Sequence, residues 1–151
     1  MTRGGRRGTC GKAQGRERLQ QARAFLELAR LGVDQPDAPA RRRLEQAAAA
    51  NAILAAIAAS DAICCCLLGT RARGQDHREA IALLELARPG SGTAKAKQLR
   101  AQSLGRALRV ALDLKNEAPY GFDVIGVAQV RKALHAAEAL VSAAEDAVQE
   151  R

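Results

Sequence analysis

Aromatic residues are almost missing from this chain: Phe25, Phe122 and Tyr120 make up 2% of 151 residues, and tryptophan is absent. Strands draw on Val, Ile, Thr and aromatics, and no segment alternates polar with apolar residues, so essentially no sheet is expected. The same scarcity argues against recognition of single strands by base stacking. Phosphate-binding Gly loops, GxSxG elbows, HExxH pairs and internal repeats are also absent. No CxxC spacing occurs; the four cysteines are Cys10 and the consecutive Cys64, Cys65 and Cys66. Neighbours on a helix point about 100° apart, so three in a row cannot converge on one ion, and neither a metal nor a cofactor is expected. The triplet reads as small buried hydrophobes, and unpaired thiols suit a reducing cytoplasm. Positive charge near the N-terminus is not followed by an apolar stretch, so no signal peptide is expected.

What the chain does have is alanine, leucine and arginine. Its length suits a single domain that removes about two-thirds of its unfolded surface on folding. The apolar share is 48%, dominated by strong helix formers. The net charge of +8 is unevenly placed: residues 1–18 hold six basic groups against Glu17 alone. Residues 1–13 therefore read as a basic, disordered Gly/Arg tail able to attract phosphates, and residues 14–151 as the folded unit. Residues 47–68 contain only Asn51, Ser60 and Asp61 as polar groups. They are long enough to span a bilayer, but the high alanine content and the acid at position 61 favour a helix buried by protein, so no membrane association is expected.

The periodicity predicts an all-α, up-and-down bundle of four to five helices. The first covers about 14–31, with Leu19, Ala22, Leu26 and Ala29 on one face and Gly32 at its end. Pro36 and Pro39 interrupt the chain before a central helix over about 40–68, whose alanines let neighbours approach closely. Thr70–Asp76 reads as a polar loop, with Asp76 or Gln75 capping a short helix over 77–87. Pro89-Gly-Ser-Gly is a turn, and a helix over 94–116 follows with Leu104, Leu108 and Ala111 as its buried stripe; Lys115 continues that stripe to the core edge. After a turn at Pro119-Tyr-Gly-Phe, the last helix (about 124–149) repeats Val130, Leu134, Ala137, Val141, Ala144 and Val148 at alternating steps of four and three. That is a packing seam, within the chain or against a second copy.

Few residues in this pattern can do chemistry. Asp61 lies deep in an apolar helix and needs partners, which the following loop and Lys115 could supply. His77 opens the third helix, with Arg71 and Arg73 ahead of it (Arg71-x5-His77). Such a histidine can take a 2′-hydroxyl proton or protonate a leaving oxygen, and an arginine can steady the extra negative charge on phosphorus. Asp61, His77, Lys115 and Tyr120 form either a hydrogen-bonded lock for the bundle or the lining of a functional pocket. His135, beside Arg131, Lys132 and Glu138, reads as a solvated surface residue.

The run Ala59-Ser-Asp-Ala-Ile-Cys-Cys through Leu68-Gly69, followed by Arg73-Gly-Gln-Asp-His77-Arg, resembles the HEPN superfamily of small helical bundles. The Leu83-Leu84 pair, Lys115-Asn-Glu-Ala-Pro-Tyr120 and the closing amphipathic helix extend the resemblance over roughly residues 15–150, and the small bacterial members are the most similar. The resemblance implies a helical bundle, commonly a homodimer, acting on or binding RNA, DNA or nucleotides. Many such proteins are metal-independent endoribonucleases of toxin–antitoxin or defence systems, with an antitoxin or a nucleotidyltransferase as partner. By that pattern Arg71 and His77, with Arg73, are the catalytic positions, and Asp61, Asp76, Lys115 and Tyr120 support them. Two features depart from it: Ala72 follows the arginine where a polar residue is usual, and the motif falls early in the chain. Other members are non-catalytic binding or dimerisation modules.

Overall fold

The computed structural model describes residues 6–33, 38–73, 76–115 and 126–150, and among these the fold is an all-α bundle of five helices. Its elements in order are β1 (Arg6–Thr9), α1 (Lys12–Val33), α2 (Ala38–Leu68), β2 (Thr70–Arg73), α3 (His77–Ala87), α4 (Ala94–Lys115) and α5 (Val127–Gln149).

Burial follows the helical period. In α1 the buried positions are Gly15, Leu19, Ala22, Leu26 and Ala29, a single stripe at steps of four and three. In α5 they include Val130, Ala133, Ala137, Leu140, Val141 and Ala144, so the seam is filled within the chain. The central helix has no such stripe, because α2 packs against all four other helices. Ala55, Ala56, Ala58, Ala59, Ala62 and Ile63 are all fully buried there. A 26-residue stretch of α2, Arg43–Leu68, is apolar and long enough to cross a membrane, but most of it is covered by the bundle. Ile63, Leu83, Leu84, Leu108 and Leu140 are the largest fully buried aliphatic chains, each worth roughly 1.5–3 kcal/mol of transfer free energy.

Local signals set the helix ends. Asp76 caps α3, its Oδ1 accepting from the Arg78 and Glu79 backbone N–H groups at 3.0 and 3.4 Å. Arg88 ends that helix in the left-handed region (φ 46°). Thr93 Oγ1 accepts from the Ala96 N–H at 3.1 Å to start α4. The turn between them is clasped by Arg100, which donates to the carbonyls of Pro89 and Ser91 at 3.0 and 3.1 Å.

Three expectations need correction. The first concerns the sheet. Residues 6–9 and 70–73 pair as a two-stranded antiparallel ribbon in the register Arg6–Arg73, Arg7–Ala72, Gly8–Arg71 and Thr9–Thr70. The second concerns the N-terminal segment, which over residues 6–13 is not a structureless tail: the ribbon, the first residues of α1 and a Cys10 N–H bond to the Gly69 carbonyl (3.0 Å) fasten it to the bundle. The third concerns the thiols. Cys10 and Cys65 form a disulfide across 55 residues, leaving Cys64 and Cys66 free. With two of four cysteines paired, the inference from unpaired thiols to a reducing compartment loses its premise. In all three cases the pairing joins segments distant in sequence, which local pattern cannot register.

Candidate functional site

The end of α2 is where most of the singled-out residues meet. Asp61 stands one turn before Cys65 on the same face of the helix. Its side chain is only 14% exposed and is held by two arginines. Arg18 of α1 donates to Oδ2 through Nη2 at 2.7 Å and through Nε at 3.2 Å, and Arg71 of β2 donates through Nη1 at 3.4 Å. Taking a carboxylate out of water is tolerable only with such charge-assisted partners. The expectation that Asp61 meets the following loop holds through Arg71; Arg18, the closest partner, was not anticipated. The one available signal is its place beside Leu19 on the inward side of α1, which is weak because arginines are frequent in this chain.

Asp61 also lines a small cavity with Ser60, Ala72, Asp76, His77 and Lys115, floored by Ile57, Ala80, Leu108 and Leu112. Four of the anticipated residues therefore border one space, each delivered by a different signal: a polar residue in the core helix, a helix cap, a helix start and the end of the α4 stripe. His77 and Lys115 are each partly buried. The cavity is about 80 Å³, which admits one phosphate-sized group, since pockets for whole drug-sized ligands run to roughly 300–1,000 Å³. Arg71 does not line this cavity and is linked to it through its ion pair with Asp61. Arg73 is exposed on the ribbon with its stem against Gly8. Tyr120 and its turn lie outside the described residues. A larger groove of about 450 Å³ runs between α1 and α5, but ion pairs Arg23–Glu145 (3.1 Å) and Arg30–Glu138 (3.4 Å) line it, and it holds none of these residues.

A second cavity, about 200 Å³, is lined by Arg71 and Arg18, the two partners of Asp61, with Thr9, Cys10, Gln14, Glu17 and Cys65. On the far side of the ribbon, Arg7 pairs with Glu79 of α3. The free thiols are both poorly ionised. Burial pushes Cys64 up to about 12, the Asp61 charge adds to this, and a hydrogen bond with Ser60 opposes it. Burial also raises Cys66, against the pull of Arg16 and Lys12. Among the described residues no cluster of three His, Cys, Asp or Glu side chains could hold a metal ion.

Comparison with protein families, with curated proteins and with solved structures finds no match for this chain.

Proposed function

We propose that this chain is a HEPN-like protein that binds RNA, or a related nucleotide, by a phosphate at the Asp61–His77–Lys115 cleft and cleaves it there without a metal. The observation carrying this reading is that His77 shares a phosphate-sized cavity with Lys115 and Asp61, and that Arg71 is paired to that Asp61. The chemistry follows from those groups. His77 takes the proton of the 2′-hydroxyl or delivers one to the leaving 5′-oxygen. Lys115 and Arg71 offset the charge that develops on the phosphoryl oxygens. Asp61 positions Arg71, and Asp76 fixes the start of α3 and hence His77. Arg73 meets the next phosphate along the strand. The sequence resemblance adds a homodimer presenting two such sites, a toxin–antitoxin or defence setting, and an antitoxin or nucleotidyltransferase partner; a role on RNA goes with a cytoplasmic location.

The test is cleavage of RNA by purified protein with EDTA present, wild type beside His77→Ala. General acid–base groups contribute about 10²–10⁴-fold, so the variant is expected to lose at least two orders of magnitude. Equal rates in both proteins sink the catalytic assignment.

The ribbon favours a second reading, in which the chain binds nucleic acid without cutting it. Arg71 and Arg73 stand two residues apart on β2, on one face of the ribbon, and such a surface grips phosphates with steep salt dependence. Salt-dependent binding without cleavage, lost on removal of residues 1–9, selects this alternative.

A further inference from the structure

We infer that the Cys10–Cys65 disulfide is a thiol–disulfide exchange site, open to low-molecular-weight thiols, whose reduction releases the N-terminal strand. Three observations carry this. Both cysteines line the 200 Å³ cavity bordered by Gln14, Glu17, Arg18 and Arg71, so a small thiol can reach the bond. Cys65 is 2% exposed, whereas Cys10 is half-buried and forms the reachable half. What the bond holds is small: β1 is four residues long and, among the described residues, pairs with β2 alone, itself four residues long. A two-stranded ribbon of that size is marginal on its own. Among the described residues it is also tied to the bundle by the Cys10–Gly69 backbone bond, the Thr70 hydroxyl donating to the Gly8 carbonyl at 3.2 Å, and the Arg7–Glu79 ion pair.

The step balances as ordinary exchange. The incoming thiolate attacks Cys10 Sγ, the Cys10–Cys65 bond breaks, and Cys65 leaves as a thiolate that takes a proton from solvent. A second thiol attacks the mixed disulfide on Cys10, giving the oxidised small-molecule disulfide and a free Cys10 thiol. Two electrons pass from two thiols to the protein. Without the bond, β1 detaches and β2 loses the strand it pairs with among the described residues, so the backbone that carries Arg71 and Arg73 loosens and Arg71 keeps only its ion pair with Asp61. A consequence that rests on the phosphate-binding reading above is that the oxidised form grips RNA more tightly. The expected difference is about tenfold, the equivalent of one charge-assisted hydrogen bond.

The experiment titrates the oxidised full chain with 2-mercaptoethanol. It follows Cys10 alkylation by mass, amide exchange by segment, and binding of a fluorescent RNA oligonucleotide. Expected is alkylation of Cys10 with fast exchange at 7–10 and 70–73, while α1–α5 stay protected; Cys10→Ser reproduces this state and Cys66→Ser does not. Two results overturn the inference: a disulfide that resists thiol until the helices unfold, or a reduced protein whose 7–10 and 70–73 amides remain protected. If exchange and release occur but neither form binds RNA, the exchange site stands and the phosphate-binding reading fails.

Discussion

Replacing Gly15 by alanine tests how closely α1 and α2 approach. Gly15 is buried where the start of α1 crosses the end of α2. A Cβ built there falls 2.4 Å from Cys66 Sγ, 3.2 Å from the Ala62 carbonyl oxygen and 3.5 Å from Cys65 Cβ. Comfortable carbon contacts lie at about 3.5–4.0 Å, so the thiol must move by more than an ångström, while the helical carbonyl has little freedom to follow. Helix propensity pulls the other way, because alanine is better than glycine in a helix by about 1 kcal/mol. Overpacking typically costs about 1–3 kcal/mol. The net expectation is a loss of about 1 kcal/mol, which for a domain of this size lowers Tm by roughly 2–4 °C. Cys66→Ala removes the nearest atom. In that background Gly15→Ala should be neutral or stabilising, giving a coupling of about 1–2 kcal/mol in the double-mutant cycle. Gly105→Ala supplies the contrast. Its nearest neighbour is the flexible Glu85 carboxylate, at 2.6 Å from the added carbon, so that variant should gain up to about 1 kcal/mol. Urea unfolding of the oxidised proteins, followed by circular dichroism, reads all four. If Gly15→Ala stabilises the wild-type background as Gly105→Ala does, the close approach of the two helices is wrong.

Further expectations concern the core and the charged groups. Leu140→Ala, at a position with no exposure, should cost about 2–5 kcal/mol in urea unfolding; a cost below 1 kcal/mol would remove Leu140 from the core. Asp61→Asn keeps the shape but leaves Arg18 and Arg71 facing a neutral amide, so a loss of about 1–2 kcal/mol is expected, fading at high salt. An unchanged stability would show the ion pairs to be solvated. The Cys64 thiol is raised from 9.0 to about 12 in the folded chain, so the unfolded state loses that proton first. Its contribution is present below pH 9 and lost as pH rises towards 12, with a slope of about 1.4 kcal/mol per pH unit in that window. Wild type should therefore lose stability in alkali more steeply than Cys64→Ala, and parallel curves would refute the burial. Iodoacetamide under native, oxidised conditions should label Cys66 well before Cys64, since Cys66 is partly exposed and Cys64 is 2% exposed; the reverse order would place Cys64 at the surface.

The sequence alone determined the helices, because what makes them is local. Periodic leucines and alanines, Asp76 as a cap and Gly69 and Pro89 as breaks place α3 at 77–87, and the other described helix ends within a few residues of where they occur. The same local logic singled out four residues that border one cavity: His77 as a helix start, Asp76 as a cap, Lys115 as the edge of an apolar stripe and Asp61 as an acid inside the apolar core helix. The ribbon, the Cys10–Cys65 bond and the Arg18–Asp61 pair were decided by tertiary structure. Their partners stand 55 and 43 residues apart for the last two and meet because α1 lies antiparallel along α2, bringing Gly15 to Ala62 and Gly32 to Leu44 and Ala48. A four-residue strand carries no periodicity of its own to read, and an arginine or cysteine signals its partner only after packing has put the two side chains within reach.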